Sequence, residues 1–209
     1  MNYFDNGDPK ILFSHLPKTG GKSVLYYLDK LFKNPRNNVK SSLRGHIAAK
    51  EYVRQGIIDS TFTIITGARN PWDWHVSFYY FQKNWNQYNY KQQFTDLFNQ
   101  ISFSDYLYKI INNDLELLNP TNEEICPLNM WWYKDINNEN IIIDHIIKTE
   151  TLSEDFSKIS TQYDFIQFDD IHLNKSIRMP SYNEYYTTDT RNLVKKLHEE
   201  YIDYFEYTF

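Results

Sequence analysis

Residues 10–23, KILFSHLPKTGGKS, constrain the fold more than any other stretch of the chain. The apolar run 10–16 has the length and composition of a buried strand, and Pro17 with the Gly20-Gly21 pair stops any helix from continuing through it. From Ser23 onward Val24, Leu25, Leu28, Leu31 and Phe32 recur with the spacing of one helical face. The order is therefore strand, glycine turn, helix.

The same order returns downstream. TFTIITGA (61–68) reads as a second strand that breaks at Gly67 and Pro71, ahead of a helix over 72–83; a short helix over 48–55 lies between the two units. Residues 84–140, rich in Asn, Gln, Tyr and Trp and carrying the helical piece SDYLYKIINN, read as a helical insertion. NIIIDHIIKTE (140–150) reads as a third strand, followed by a helix that Thr151 and Glu154 start with a capping box. The run 163–170 is a weaker strand. Leu193, Val194, Leu197, Tyr201, Ile202 and Phe205 then define one closing helix, capped by Thr188 or Asp189. Alternating strands and helices predict an α/β, P-loop-like three-layer fold in which helices flank a central, mostly parallel sheet. With no linker or repeat in sight, all 209 residues are expected to form a single domain.

Composition removes several classes. At 41% apolar and 18% aromatic the chain is far from a disordered one, and a net charge of −5 opposes nucleic acid or an anionic membrane as a general partner. Cys126 is the only cysteine, so no internal disulfide and no multi-cysteine metal site can form. The start, MNYFDNGDPK, has no signal-peptide pattern, and no run approaches the roughly 18 apolar residues of a membrane span. These features predict a soluble, cytoplasmic protein.

A glycine turn between strand and helix offers backbone N–H groups and the positive end of a helix dipole to an anion, and Lys18 and Ser23 add a charge and a hydroxyl. The nucleoside-triphosphate pattern needs a glycine five residues before Gly21, where this chain has Leu16. In the second unit, RNPWDWHVSFYY, Arg69 leaves the strand and Ser77 sits on the next helix, a second place for an anion. Two such sites at neighbouring strand ends suggest a nucleotide with two separate anionic groups.

HLPKTGGKS (15–23) resembles the 5′-phosphosulfate loop of the carbohydrate-type sulfotransferases, the group that includes the glycosaminoglycan 2-O- and 6-O-sulfotransferases. RNPWDWHVSFYY (69–80) resembles the 3′-phosphate motif of the same group. IIIDHIIKTETLSEDF (141–156) and HLNKSIRMPSYNEYYTTDTRNLVKKLHEEYIDYFEYTF (172–209) are similar to its late strand and C-terminal end. Together these cover residues 10–80 and 140–209. Asn70, Trp74 and Lys22 depart from the more common Asp, Arg and Thr, and residues 84–140 match nothing usable.

The resemblance implies 3′-phosphoadenosine 5′-phosphosulfate as sulfuryl donor, held by Pro17, Lys18, Thr19, Gly20, Gly21, Lys22 and Ser23, by Arg69 and Ser77, and by Lys175, Ser176 and Arg178. It implies Lys18 as the cation on the leaving phosphate and His46 as the base for an acceptor hydroxyl, most readily on a carbohydrate, with no metal required. His46 suits that task because imidazole titrates near neutrality. His15 reads as a structural group that fixes the loop, His75 as packed on its helix, and His145, His172 and His198 carry no pairing that suggests catalysis. Glu150 divides between orienting a base and helix capping. A P-loop kinase, suggested by GGKS, and a non-catalytic nucleotide-binding protein of the same fold stand as alternatives.

Overall fold

A computed structural model describes residues 3–5, 10–31, 46–83, 92–112, 128–163 and 179–209. In chain order the elements are β1 (Tyr3–Asp5), β2 (Lys10–Ser14), α1 (Gly21–Leu31), α2 (Ala49–Arg54), β3 (Phe62–Ala68), α3 (Pro71–Lys83), α4 (Gln92–Gln100), α5 (Phe103–Ile111), β4 (His145–Lys148), α6 (Leu152–Gln162), α7 (Thr188–Leu197) and α8 (Glu199–Phe205). They divide into two compact units, one drawn from Met1–Arg69 and Met130–Asn174, the other from Asn70–Asn129 and Lys175–Phe209.

The first unit holds the sheet, in the order β1-β2-β3-β4. β2, β3 and β4 run parallel, and β1 joins the edge antiparallel. Strands buried on both faces read as continuous apolar runs, which is what KILF and TIIT are. Ile11, Phe13, Ile65 and Ile147 face one side, where Val24 and Leu28 of α1 and Phe156 and Ile159 of α6 pack on them. Leu12 and Ile64 face the other side, against Ala49 and Tyr52 of α2. These two clusters make three layers of this unit, as the alternation of elements predicted. Each fully buried side chain of this kind contributes about 1.5–3 kcal/mol.

Three details differ from the sequence reading. β4 is four residues long because Ile141 pairs instead with Lys134, and because Asp144 turns its carboxylate onto the Ile64 N–H at 2.7 Å. The predicted Thr151–Glu154 capping box does not form. A 3₁₀ turn over Thr149–Thr151 precedes α6, and the Thr151 hydroxyl donates to Asp155 at 2.7 Å, as does the Lys148 N–H at 3.0 Å. The closing helix is two helices, broken at His198 (φ −121°, ψ 29°), and its cap is Thr187, paired with Thr190. The weaker strand expected at 163–170 falls, from 164 onward, outside the described residues.

The second unit has an aromatic core. α3 is buried on most of its surface, and Trp74 stacks on Phe78 at 4.9 Å. Tyr79, Phe98, Phe103 and Tyr106 close around them. Trp74, which stands where the resembled 3′-phosphate motif commonly has Arg, is thus a core residue of this unit.

Inside that core His75 Nε2 lies 2.8 Å from His198 Nε2, and both rings are fully buried. A carbonyl can only accept, so the Leu128 oxygen, 3.2 Å from His198 Nδ1, puts the proton on that nitrogen. His198 Nε2 then accepts from His75 Nε2–H, and His75 Nδ1 accepts from the Tyr106 hydroxyl at 2.9 Å. Every proton runs one way, and one more would set two donors face to face. Burial accordingly pushes His198 down to about 4 from 6.5 and His75 well below its ordinary value.

This pair should make the fold acid-labile. Its contribution is complete above pH 6.5 and drains as pH falls toward 4, because the unfolded chain binds protons that the folded pair refuses. For His198 alone the gap corresponds to about 3 kcal/mol. Urea midpoints should fall steeply across that window in the wild type and much less in a His75→Phe/His198→Leu double variant. Equal slopes in the two proteins would exclude the pair as the cause.

Candidate active site

Parallel pairing puts the carboxyl ends of β2, β3 and β4 on one edge: Ser14 sits beside Thr66, and Ala68 beside Lys148. The turns that leave this edge carry most of the chemistry predicted for the first unit. Ligands of open parallel sheets gather at such an edge.

The turn after β2 is shaped by backbone that few residues tolerate. Lys18 has φ 64° and Gly20 φ 76°. A non-glycine residue in the left-handed region costs about 1–2 kcal/mol, so Lys18 is held there by its surroundings. Part of that hold is Arg69, 9% exposed, whose Nη1 donates to the Lys18 carbonyl at 2.8 Å. Another part is Thr19, fully buried, whose hydroxyl turns back to the Leu16 carbonyl at 3.0 Å. The loop lies directly on β3: a Cβ added at Gly67 would come within 2.3 Å of Thr19 Oγ1. Gly20 closes the turn, accepting from the Ser23 N–H at 2.9 Å as α1 begins.

His46 is half-buried just ahead of α2. Its Nδ1 lies 2.8 Å from the His15 carbonyl, which can only accept, so Nδ1 carries the proton and Nε2 keeps its lone pair. Burial lowers its pKa, and the His15 carbonyl offsets part of that shift. The segment is fixed by the Ser14 hydroxyl, which donates to the Ile47 carbonyl at 3.0 Å. On α2 the buried Lys50 donates to Asn138 at 2.6 Å and lies 3.7 Å over the Trp131 ring.

Within the first unit Arg69 is thus joined to the Lys18 backbone, and His46 to the backbone and ring of His15. Lys22 is exposed on the first turn of α1, Ser23 is buried and Pro17 half-buried. Ser77 is buried on α3, in the second unit. Lys175, Ser176, Arg178 and His172 lie outside the described residues. Glu150 is exposed in the 3₁₀ turn after β4. Two supports escaped the sequence reading: the Tyr133 hydroxyl donates to the Gly67 carbonyl at 2.9 Å, and the Thr149 hydroxyl to the Ala68 carbonyl at 3.0 Å. Both cross from distant segments, so no periodicity marks them.

Among the described residues no group of three or more His, Cys, Asp or Glu could hold a metal ion, and no helix is long and apolar enough to cross a membrane. Comparison with curated proteins and with solved structures finds no match. A family model for the sulfotransferase domain matches residues 29–119, a little under half of the chain, and takes in His46, β3, Arg69 and α3. Over those residues the chain is similar to the sulfotransferase domain, whose P-loop-like α/β fold agrees with the parallel sheet and flanking helices of the first unit.

Proposed function

We propose that the protein transfers a sulfuryl group from 3′-phosphoadenosine 5′-phosphosulfate to a hydroxyl of a carbohydrate acceptor. The observation that carries this reading is the 2.8 Å bond from Arg69 to the Lys18 carbonyl, which ties together the two turns whose sequences resemble donor-binding motifs. The donor has acidic groups at both ends. A glycine turn at a helix N-terminus, flanked by a lysine and an arginine, suits it by charge.

In this scheme the acceptor oxygen attacks sulfur while its proton passes to His46 Nε2. The bond between sulfur and the bridging phosphate oxygen breaks, and its electron pair leaves on the phosphate, where the Lys18 ammonium stabilises the charge. Much of the remaining barrier is met by alignment, as in phosphoryl transfer. The acidic chain has few surplus cations, which favours an acceptor of low charge over a heavily sulfated polymer.

The test is incubation with the donor carrying labelled sulfate and a pool of neutral and acidic glycans. Label should enter a glycan, preferentially a neutral one; a wild-type protein that labels no hydroxyl acceptor would refute the activity. Arg69→Ala should weaken binding of the desulfated donor by about tenfold, the scale of one lost charge-assisted contact. Unchanged affinity in that variant would remove Arg69 from the donor site.

A further inference from the structure

We propose that His15 is a positioning residue for His46, fixing both the orientation and the tautomer of that imidazole from within the donor loop itself. The inference rests on the reading of His46 as the base. Its physical content is separate from that reading.

The His15 ring is wedged on three sides. Phe13 stacks on it at 5.6 Å with 20° between the planes, and the His46 ring meets it edge to face at 4.5 Å and 69°. Below it lies Gly21, where an added Cβ would come within 1.9 Å of His15 Cδ2 and 2.1 Å of Nε2. The backbone of the same residue supplies the carbonyl, 2.8 Å from His46 Nδ1. One residue thus blocks rotation of the His46 ring with its side chain and chooses its proton with its main chain. His15 is a titratable group in ring contact with His46.

A consequence follows for Gly21. Glycine at this position gives room to the His15 ring as well as beginning α1, since Phe13 and His46 occupy two other sides of that ring. The carbonyl that holds the base also stands three residues before Lys18 in the same turn. The group that takes the proton and the group that meets the leaving phosphate are thereby built on one piece of backbone.

The test compares His15→Ala and His15→Phe in the full chain. In His15→Ala the turnover number should fall by about tenfold, since a loosened catalytic group loses alignment, while the KM for the donor barely moves. The acid limb of the pH–rate profile should move toward 6.5 as His46 gains solvent. His15→Phe, which restores the wedge that His15→Ala removes, should recover most of the loss. His15→Ala keeps the carbonyl and removes only the wedge, so the His46 ring is free to swing off that carbonyl: nitrogen NMR of His46 should show a single Nδ1–H tautomer in the wild type and a mixture in His15→Ala. A raised donor KM with unchanged turnover and unchanged pH limb would make His15 a loop residue only. If the wild type transfers no sulfuryl group, the enzymatic reading falls, yet the NMR comparison still decides: an identical His46 spectrum in His15→Ala overturns the positioning role.

Discussion

Replacing His46 by alanine should lower the turnover number by about 10²–10⁴, the range over which a positioned general base contributes. Donor affinity should stay at the wild-type value, because the bond that His46 makes is to the His15 carbonyl and not to the loop residues that meet the donor. The wild-type pH profile carries the same information. Burial draws His46 below 6.5, so its lone pair is available at neutrality and activity should rise on a limb centred below that value, then level off. A His46→Ala variant that turns over at the wild-type rate would transfer the base role elsewhere. A limb centred above 6.5 would contradict the environment found for the ring.

Replacing Lys18 should cost about 10²–10³ in turnover, the effect of removing one preorganised charge from a developing anion. Backbone strain makes this variant unusually informative. Lys18 stands at φ 64°, where glycine is at ease. Lys18→Gly should therefore inactivate the protein with no loss of thermal stability and a gain of up to about 1 kcal/mol. Lys18→Ala should inactivate it while keeping the strain. Loss of activity together with a fall in melting temperature in Lys18→Gly would point to a structural lysine, whose removal damages the turn.

The parts of this arrangement that the sequence discloses are those set by local rules. Ile11 to Phe13 and Ile64 to Ile65 are apolar on consecutive residues because both faces of their strands are covered, and Gly20 breaks the chain where φ must turn positive. The amphipathic stripe from Val24 to Leu28 needs no more than its own period to announce α1. What remained hidden depends on partners far along the chain. His198 ends α7 and contacts His75, 123 residues away, and nothing in RNLVKKLHEEYIDYF signals that the helix should break there. Asp144 interrupts an apolar run whose pattern alone predicts a longer β4, because its carboxylate is taken by the Ile64 N–H on the neighbouring strand. The site divides in the same way. The PKTGG turn shows itself by composition, whereas the Arg69 bond to its backbone, the Tyr133 and Thr149 clamps on β3 and the wedge between His15 and His46 arise only on folding.

Calorimetric titration with 3′-phosphoadenosine 5′-phosphate, set against ATP with magnesium, tests the central claim most directly. The desulfated donor should bind as one molecule per chain and lose affinity in Arg69→Ala, while ATP binds weakly or not at all. Tighter binding of magnesium–ATP, or no binding of the desulfated donor, would contradict the assignment of these two turns to a twice-anionic adenine nucleotide.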